Sequence, residues 1–220
     1  MAVVERYSRN AVSKVEQETL QAATVAIIGC GGLGGRVAEL LARLGVGTLL
    51  LTDPDIFSTS NLNRQIFCTQ ETLGLEKVAV LATELPKINS EITVHSHIQE
   101  FSERSIQGAE IVVDGLDSGT DRKRLARLCR KHSLPLVHGA VKQWYGQAGV
   151  DTESSPIIDL LYPDGKITDP TPQVMPMTVA LIAALQAAEV CKIILNRTSP
   201  LQNGVLQCDL LRSDYECLLF

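Results

Sequence analysis

Six residues, Gly29-Cys30-Gly31-Gly32-Leu33-Gly34, sit directly between a β-branched apolar stretch and an amphipathic one. Glycines at this G-x-G-x-x-G spacing permit a tight turn and let backbone N–H groups approach a phosphate at a helix N-terminus. Asp53 follows at the end of the next strand-like stretch, about twenty residues on, where an acid accepts ribose hydroxyls. Nucleotide binding is the chemistry these positions offer. They leave the nucleotide open, because an NAD-dependent oxidoreductase carries the same loop and acid.

The elements that position these residues alternate between the two periods. Residues 24–28 read as a buried strand ending at Gly29. Residues 33–44 carry Val37, Leu40, Leu41 and Leu44 at helical spacing, with Gly45 as the stop. Residues 48–52, 92–95, 111–113 and 136–137 read as further strands. Residues 76–88 and 121–132 read as helices, the first of them kinked or ended by Pro86. Residues 144–150 predict a strand returning to the sheet, 179–195 the most apolar helix and 205–211 the last strand. The implied architecture is α/β: a Rossmann-like, mainly parallel sheet with helices on both faces, its final strands extending the sheet. One domain over residues 1–220 is the simplest organisation, with an N-terminal helical arm at 1–23. Residues 151–176, rich in Pro, Asp and Thr, predict a long loop, and loops of that length are commonly functional.

Composition narrows the partners. The chain has 220 residues, 45% hydrophobic and 20% charged, with a formal net charge of -5. That balance suits a soluble globular fold and gives no electrostatic case for nucleic acid. Arg122-Lys123-Arg124 reads as a solvated helix face. No segment reaches the roughly 18 consecutive apolar residues of a membrane span, and the N-terminus does not read as a secretory signal. A cytoplasmic protein is expected. The six cysteines, Cys30, Cys68, Cys129, Cys191, Cys208 and Cys217, show no CxxC spacing, so no structural zinc is expected and the thiols are expected reduced. His95, His97, His132 and His138 have no partner pattern and read as ordinary surface or core residues.

The stretch after the acid separates the nucleotide readings. Asp53-Pro54-Asp55 is followed by Ser60-Asn61-Leu62-Asn63-Arg64-Gln65, and then by Gly74-Leu75-Glu76-Lys77. Farther on come Asp114-Gly115-Leu116-Asp117-Ser118, Tyr145-Gly146-Gln147 and Leu185-Gln186-Ala187-Ala188-Glu189, while Arg6-Tyr7-Ser8-Arg9-Asn10 stands near the N-terminus. With its glycine loop, the chain resembles the ThiF/MoeB/HesA branch of the E1-like activating enzymes over nearly its whole length. The resemblance implies ATP-dependent adenylation of the C-terminal glycine carboxylate of a small ubiquitin-like sulfur carrier protein, in a symmetric homodimer. It implies that Asp53 holds the ribose and that Gly29, Gly31, Gly32 and Gly34, with Asp55, form the nucleotide cradle. Asn61, Arg64, Gln65 and Lys77 would surround the phosphates, and Asp117 would hold Mg²⁺. Arg9 would reach the ATP phosphates of the opposite subunit.

Adenylation gathers charge on phosphate oxygens, which explains cations and fixed donors here. Hydride transfer leaves the pyrophosphate intact and gives no such reason. Taken singly, Arg64 more commonly reads as a surface ion-pair partner and Lys77 as an exposed helix residue, and Asp117 could simply cap the helix that follows.

The chain also departs from that branch. Many relatives carry two zinc-binding CxxC pairs and a reactive cysteine in the long loop; this chain has neither, with no cysteine between Cys129 and Cys191, the latter read as core. The covalent thioester step is therefore expected to be missing. Ser118 and Asn10 replace the usual Asn and Gln. A second reading, a non-catalytic E1-like regulatory subunit, fits the missing cysteines but not the retained Arg9, Arg64, Lys77 and Asp117.

Overall fold

The computed structural model describes residues 5–163 and 173–220. Its centre is one eight-stranded sheet in the order β3-β2-β1-β4-β5-β6-β7-β8. Strands β1 (Thr24–Ile28), β2 (Thr48–Thr52), β3 (Thr93–His97), β4 (Ile111–Asp114) and β5 (Leu136–Lys142) run parallel. Strands β6 (Tyr145–Asp151), β7 (Gly204–Asp209) and β8 (Asp214–Leu219) continue the sheet antiparallel. Strand order reverses between β1 and β4, and open α/β sheets bind ligands at the carboxyl ends of the strands flanking such a point.

Alternation along each strand builds two cores. Val25, Ile27, Leu49, Leu51, Ile111 and Val113 face one side, packed under α1 (Lys14–Ala22), α2 (Gly32–Leu44) and α3 (Lys77–Ile88). Ala26, Ile28 and Val112 face the other, under α4 (Gly119–Lys131) and α5 (Ile157–Leu161). Burial on both faces is why these strands read as nearly unbroken apolar runs.

Helix α6 (Pro176–Ile194) joins the first core through Val179, Ile182, Ala183 and Val190. Among the described residues it is the one helix long and apolar enough, by length and composition, to cross a membrane, and half of that stretch is buried inside the fold. Gln186 explains much of its placement, donating from Nε2 to Asp114 O at 2.9 Å and Val137 O at 3.1 Å. Pro86 falls in the last turn of α3, which runs on only to Ile88.

Three sequence expectations are corrected. The expected loop at 151–176 contains α5, held by burial of Ile157 and Ile158 and by Asp151 Oδ2 accepting the Ile158 N–H at 2.9 Å; residues 164–172 of that stretch lie outside the described residues. The last strand is β8, not residues 205–211; β7 ends at Asp209 and a turn through Ser213 (φ 56°) starts the new strand. Arg122 is not on a solvated face: it is 5% exposed.

Candidate functional site at the strand reversal

The loop between β1 and α2 is closed by contacts that only glycine allows. Gly29 has φ 85°, and a Cβ there would stand 2.7 Å from the Gly115 carbonyl. A Cβ on Gly34 or Gly115 would overlap the Gly29 carbonyl oxygen. Gly115 lies just past the end of β4, so the two turns that flank the reversal are packed backbone to backbone. Gly31 caps α2 without any side chain, leaving first-turn N–H groups free to meet an anion.

Asp53 fixes this loop from β2. Its Oδ2 accepts the Cys30 N–H at 2.7 Å and its Oδ1 the Asp55 N–H at 2.8 Å. Burial pushes the Asp53 carboxyl up, opposed by Lys77 and these N–H donors. Lys77 is buried rather than exposed, its Nζ 2.8 Å from Asp55 Oδ2 and 3.8 Å from Asp53 Oδ2. Asp53, Asp55 and Lys77 therefore form one ion cluster beside the glycine loop.

The segment after Asp55 lies against the same loop. A Cβ on Gly31 would stand 3.4 Å from the Gln65 amide, and one on Gly32 would stand 3.6 Å from the stem of Arg64. Gln65 is buried, with its Oε1 unpartnered among the described residues. Arg64 is half-buried, donating from Nη1 to Ser60 O and Asn63 Oδ1, both at 2.8 Å. Asn61 accepts the Ser58 N–H on Oδ1 at 3.0 Å, so one side of its amide is used structurally. A cavity of about 250 Å³, lined by Arg36, Arg64, Gln65, Cys68, Val179 and Ala180, opens beside this segment. A larger cavity, about 430 Å³ and lined by Arg130, Leu134, Pro135 and Thr152, lies at the opposite end of the sheet and touches none of these residues.

Asp117 stands two residues beyond Gly115, exposed and without a hydrogen-bond or ion-pair partner among the described residues. It does not cap α4. Ser118 does, its Oγ accepting the Asp121 N–H at 3.3 Å. The carboxylate is thus free to meet a ligand. One free carboxylate suits Mg²⁺, which commonly takes one or two protein carboxylates and completes its shell with water and substrate phosphates. Among the described residues no group of three or more His, Cys, Asp or Glu side chains could hold a metal alone.

Arg9 is not brought to this site. Tyr7 packs over Gly45, with ring atoms 2.6 Å from where a Cβ would stand, and its hydroxyl accepts from Asn89 Nδ2 at 2.9 Å. Asn10 reaches Gln17 Oε1 at 2.9 Å. The segment is anchored at the C-terminal end of α2, whereas the glycine loop is at the N-terminal end.

The sequence reading missed a buried polar cluster behind the site. His138 donates from Nδ1 to Asp114 Oδ2 at 2.7 Å and contacts the Gln147 amide nitrogen through Nε2 at 3.1 Å. Burial pushes the His138 imidazole below its ordinary value against the pull of Asp114. Arg122 Nε lies 3.3 Å from Asp114 Oδ2, and its Nη1 donates to the Tyr162 hydroxyl at 2.8 Å. The available signal was spacing: Arg122 shares its helix face with Leu125, Ala126 and Cys129, all buried.

The ThiF family model matches residues 6–219. A SAMP-activating enzyme E1 from Haloferax volcanii is 29% identical over 230 residues, covering 97% of this chain and 84% of that protein. A molybdopterin-synthase adenylyltransferase from Salmonella typhimurium is 32% identical over 208 residues, covering 90% of this chain and 84% of its own length. The solved structure of E. coli MccB with ATP matches at a TM-score of 0.80 and 26% identity, over 97% of this chain and 71% of that one. Several other relatives are longer, and the chain spans about half of them. A glycine loop, an acid–lysine cluster and a free aspartate gathered at one strand reversal, in a chain matched from residue 6 to residue 219, place this protein in the ThiF family of E1-like adenylyltransferases.

Proposed function

We propose that the chain adenylates the C-terminal glycine carboxylate of a small ubiquitin-like sulfur carrier protein. The observation that carries this reading is the meeting, at one end of the sheet, of the glycine loop, the Asp53–Asp55–Lys77 cluster, Gln65, Arg64 and the unpartnered Asp117. The SAMP-activating and molybdopterin-synthase names of its relatives support the carrier class.

In this reaction a carboxylate oxygen attacks the α-phosphorus of ATP, the bond to the β-phosphate oxygen breaks, and pyrophosphate leaves. Asp53, already aligned by two backbone donors, accepts the ribose hydroxyls. The uncapped α2 N-terminus, Asn61, Gln65 and the Arg64 fork meet the phosphates. Lys77 transfers from Asp55 toward the charge that develops there. Asp117 would hold Mg²⁺, which supplies neutralisation of the phosphate charge.

The acyl-adenylate is the end of the reaction on this chain. Cys30 and Cys68 lie beside the site, but burial pushes both thiols above their ordinary value, which disfavours the thiolate that thioester chemistry needs. The functional unit is a homodimer in which Arg9 of the partner subunit completes each site. The carrier would end in Gly-Gly, whose tail has no side chains to obstruct its approach to the α-phosphate.

Nucleotide choice is tested by thermal unfolding. Mg·ATP at roughly 100 times its Kd should raise the melting temperature by about 5–10 °C, while NAD and NADP leave it unchanged. Stabilisation by NAD with indifference to ATP would overturn the adenylation reading.

A further inference from the structure

We propose that Arg122 is a positioning residue for Asp117: with Asp114 it holds both polar backbone atoms of Leu116, and so sets where the neighbouring carboxylate stands. The inference rests on the reading of Asp117 as the Mg²⁺ ligand.

Asp114 Oδ1 accepts the Leu116 N–H at 2.9 Å, and Arg122 Nη2 donates to the Leu116 carbonyl. Leu116 is therefore gripped from both sides by side chains of one cluster. On the other flank of Asp117, Ser118 is fixed as the cap of α4, and its carbonyl accepts the Arg122 N–H at 3.0 Å. Asp117 carries the one polar side chain of this turn that makes no bond among the described residues, while the backbone on either side of it is tied down.

The rest of the cluster orients the guanidinium. Asp114 Oδ2 faces Arg122 Nε, and the Tyr162 hydroxyl accepts from Nη1 and from Gln147 Nε2, the latter at 3.2 Å. Asp114 is in turn held by His138. Burying an arginine, an aspartate and a histidine together is a poor source of stability compared with apolar packing of the same volume. Its product here is location: a planar fork that reaches a carboxylate, a hydroxyl and a loop carbonyl at once, which lysine cannot reproduce.

The test uses ATP binding by calorimetry, with Mg²⁺ and with chelator, on wild type, Arg122→Lys, Tyr162→Phe and Asp117→Asn. Arg122→Lys keeps a charge beside Asp114 but loses the fork. It should lose about tenfold of the Mg²⁺-dependent gain in ATP affinity, the scale of outer-shell effects on metal sites, with Mg²⁺-free affinity unchanged. Hydrogen exchange in the peptide containing Leu116 should speed up in the same variant without nucleotide. Tyr162→Phe, which removes a single hydroxyl, should show a smaller loss in the same direction and covers the case in which Arg122→Lys fails to fold. A folded Arg122→Lys with the full Mg²⁺ gain, or with equal losses in both conditions, overturns the inference while leaving Asp117 in place. Retention of the gain in Asp117→Asn overturns the metal assignment beneath it.

Discussion

Asp117→Asn is expected to lower pyrophosphate exchange by about 100-fold or more while the protein melts as the wild type does. The substitution keeps the shape of the side chain and removes its charge. Its carboxylate makes no bond among the described residues, and Ser118 already supplies the helix cap. Removing a negative charge near a helix N-terminus costs at most about 1 kcal/mol of stability. A purely structural role therefore predicts almost no change in rate, and a metal-holding role predicts near-complete loss. Steady-state exchange with labelled pyrophosphate, beside a thermal melt, separates the two. Wild-type exchange in the variant would remove Asp117 from the catalytic set.

Mixing two inactive variants, Arg9→Ala and Asp117→Ala, should restore about a quarter of wild-type activity. The geometry behind this is the length of α2, thirteen residues or about 20 Å, which separates the anchored N-terminal segment from the glycine loop. Arg9 stands at the wrong end of its own chain, and an arginine side chain spans only a fraction of that distance. In a two-fold dimer each chain gives one arginine and receives one. A mixed dimer then has one doubly damaged site and one site with both residues intact. Random pairing makes half the dimers mixed, and half of their sites work. If Arg9 serves its own subunit, every site keeps one defect and mixing restores nothing.

The parts of this site that were legible in the sequence are those fixed by backbone demands or by local order. The glycine loop declares itself because Gly29, Gly34 and Gly115 pack where no Cβ fits. Asp53 sits at a strand end at a fixed interval from that loop, and the Asn61–Gln65 segment forms a compact turn within a few residues. What escaped the sequence was pairing across distance. Arg122 looked solvated because two further basic residues follow it; the partner that buries it, Asp114, belongs to a neighbouring strand. His138 looked solitary for the same reason. Strand β8 was missed because it is largely exposed, and its sequence, Asp214-Tyr215-Glu216-Cys217, has little apolar patterning. Helix α5 has five residues, too few to show a period, and depends on tertiary burial for its existence.

The central claim is that this chain activates a carrier's terminal carboxylate with ATP, and carrier-dependent exchange of labelled pyrophosphate into ATP tests it most directly. Purified ubiquitin-like carriers ending in Gly-Gly would be presented one at a time, each beside a version lacking its last glycine, before and after alkylation of accessible thiols. Exchange should appear with at least one intact carrier, vanish with its truncated version, and persist after alkylation, since the proposed reaction uses no thiol. No exchange with any intact carrier, while Mg·ATP still binds, would contradict the account.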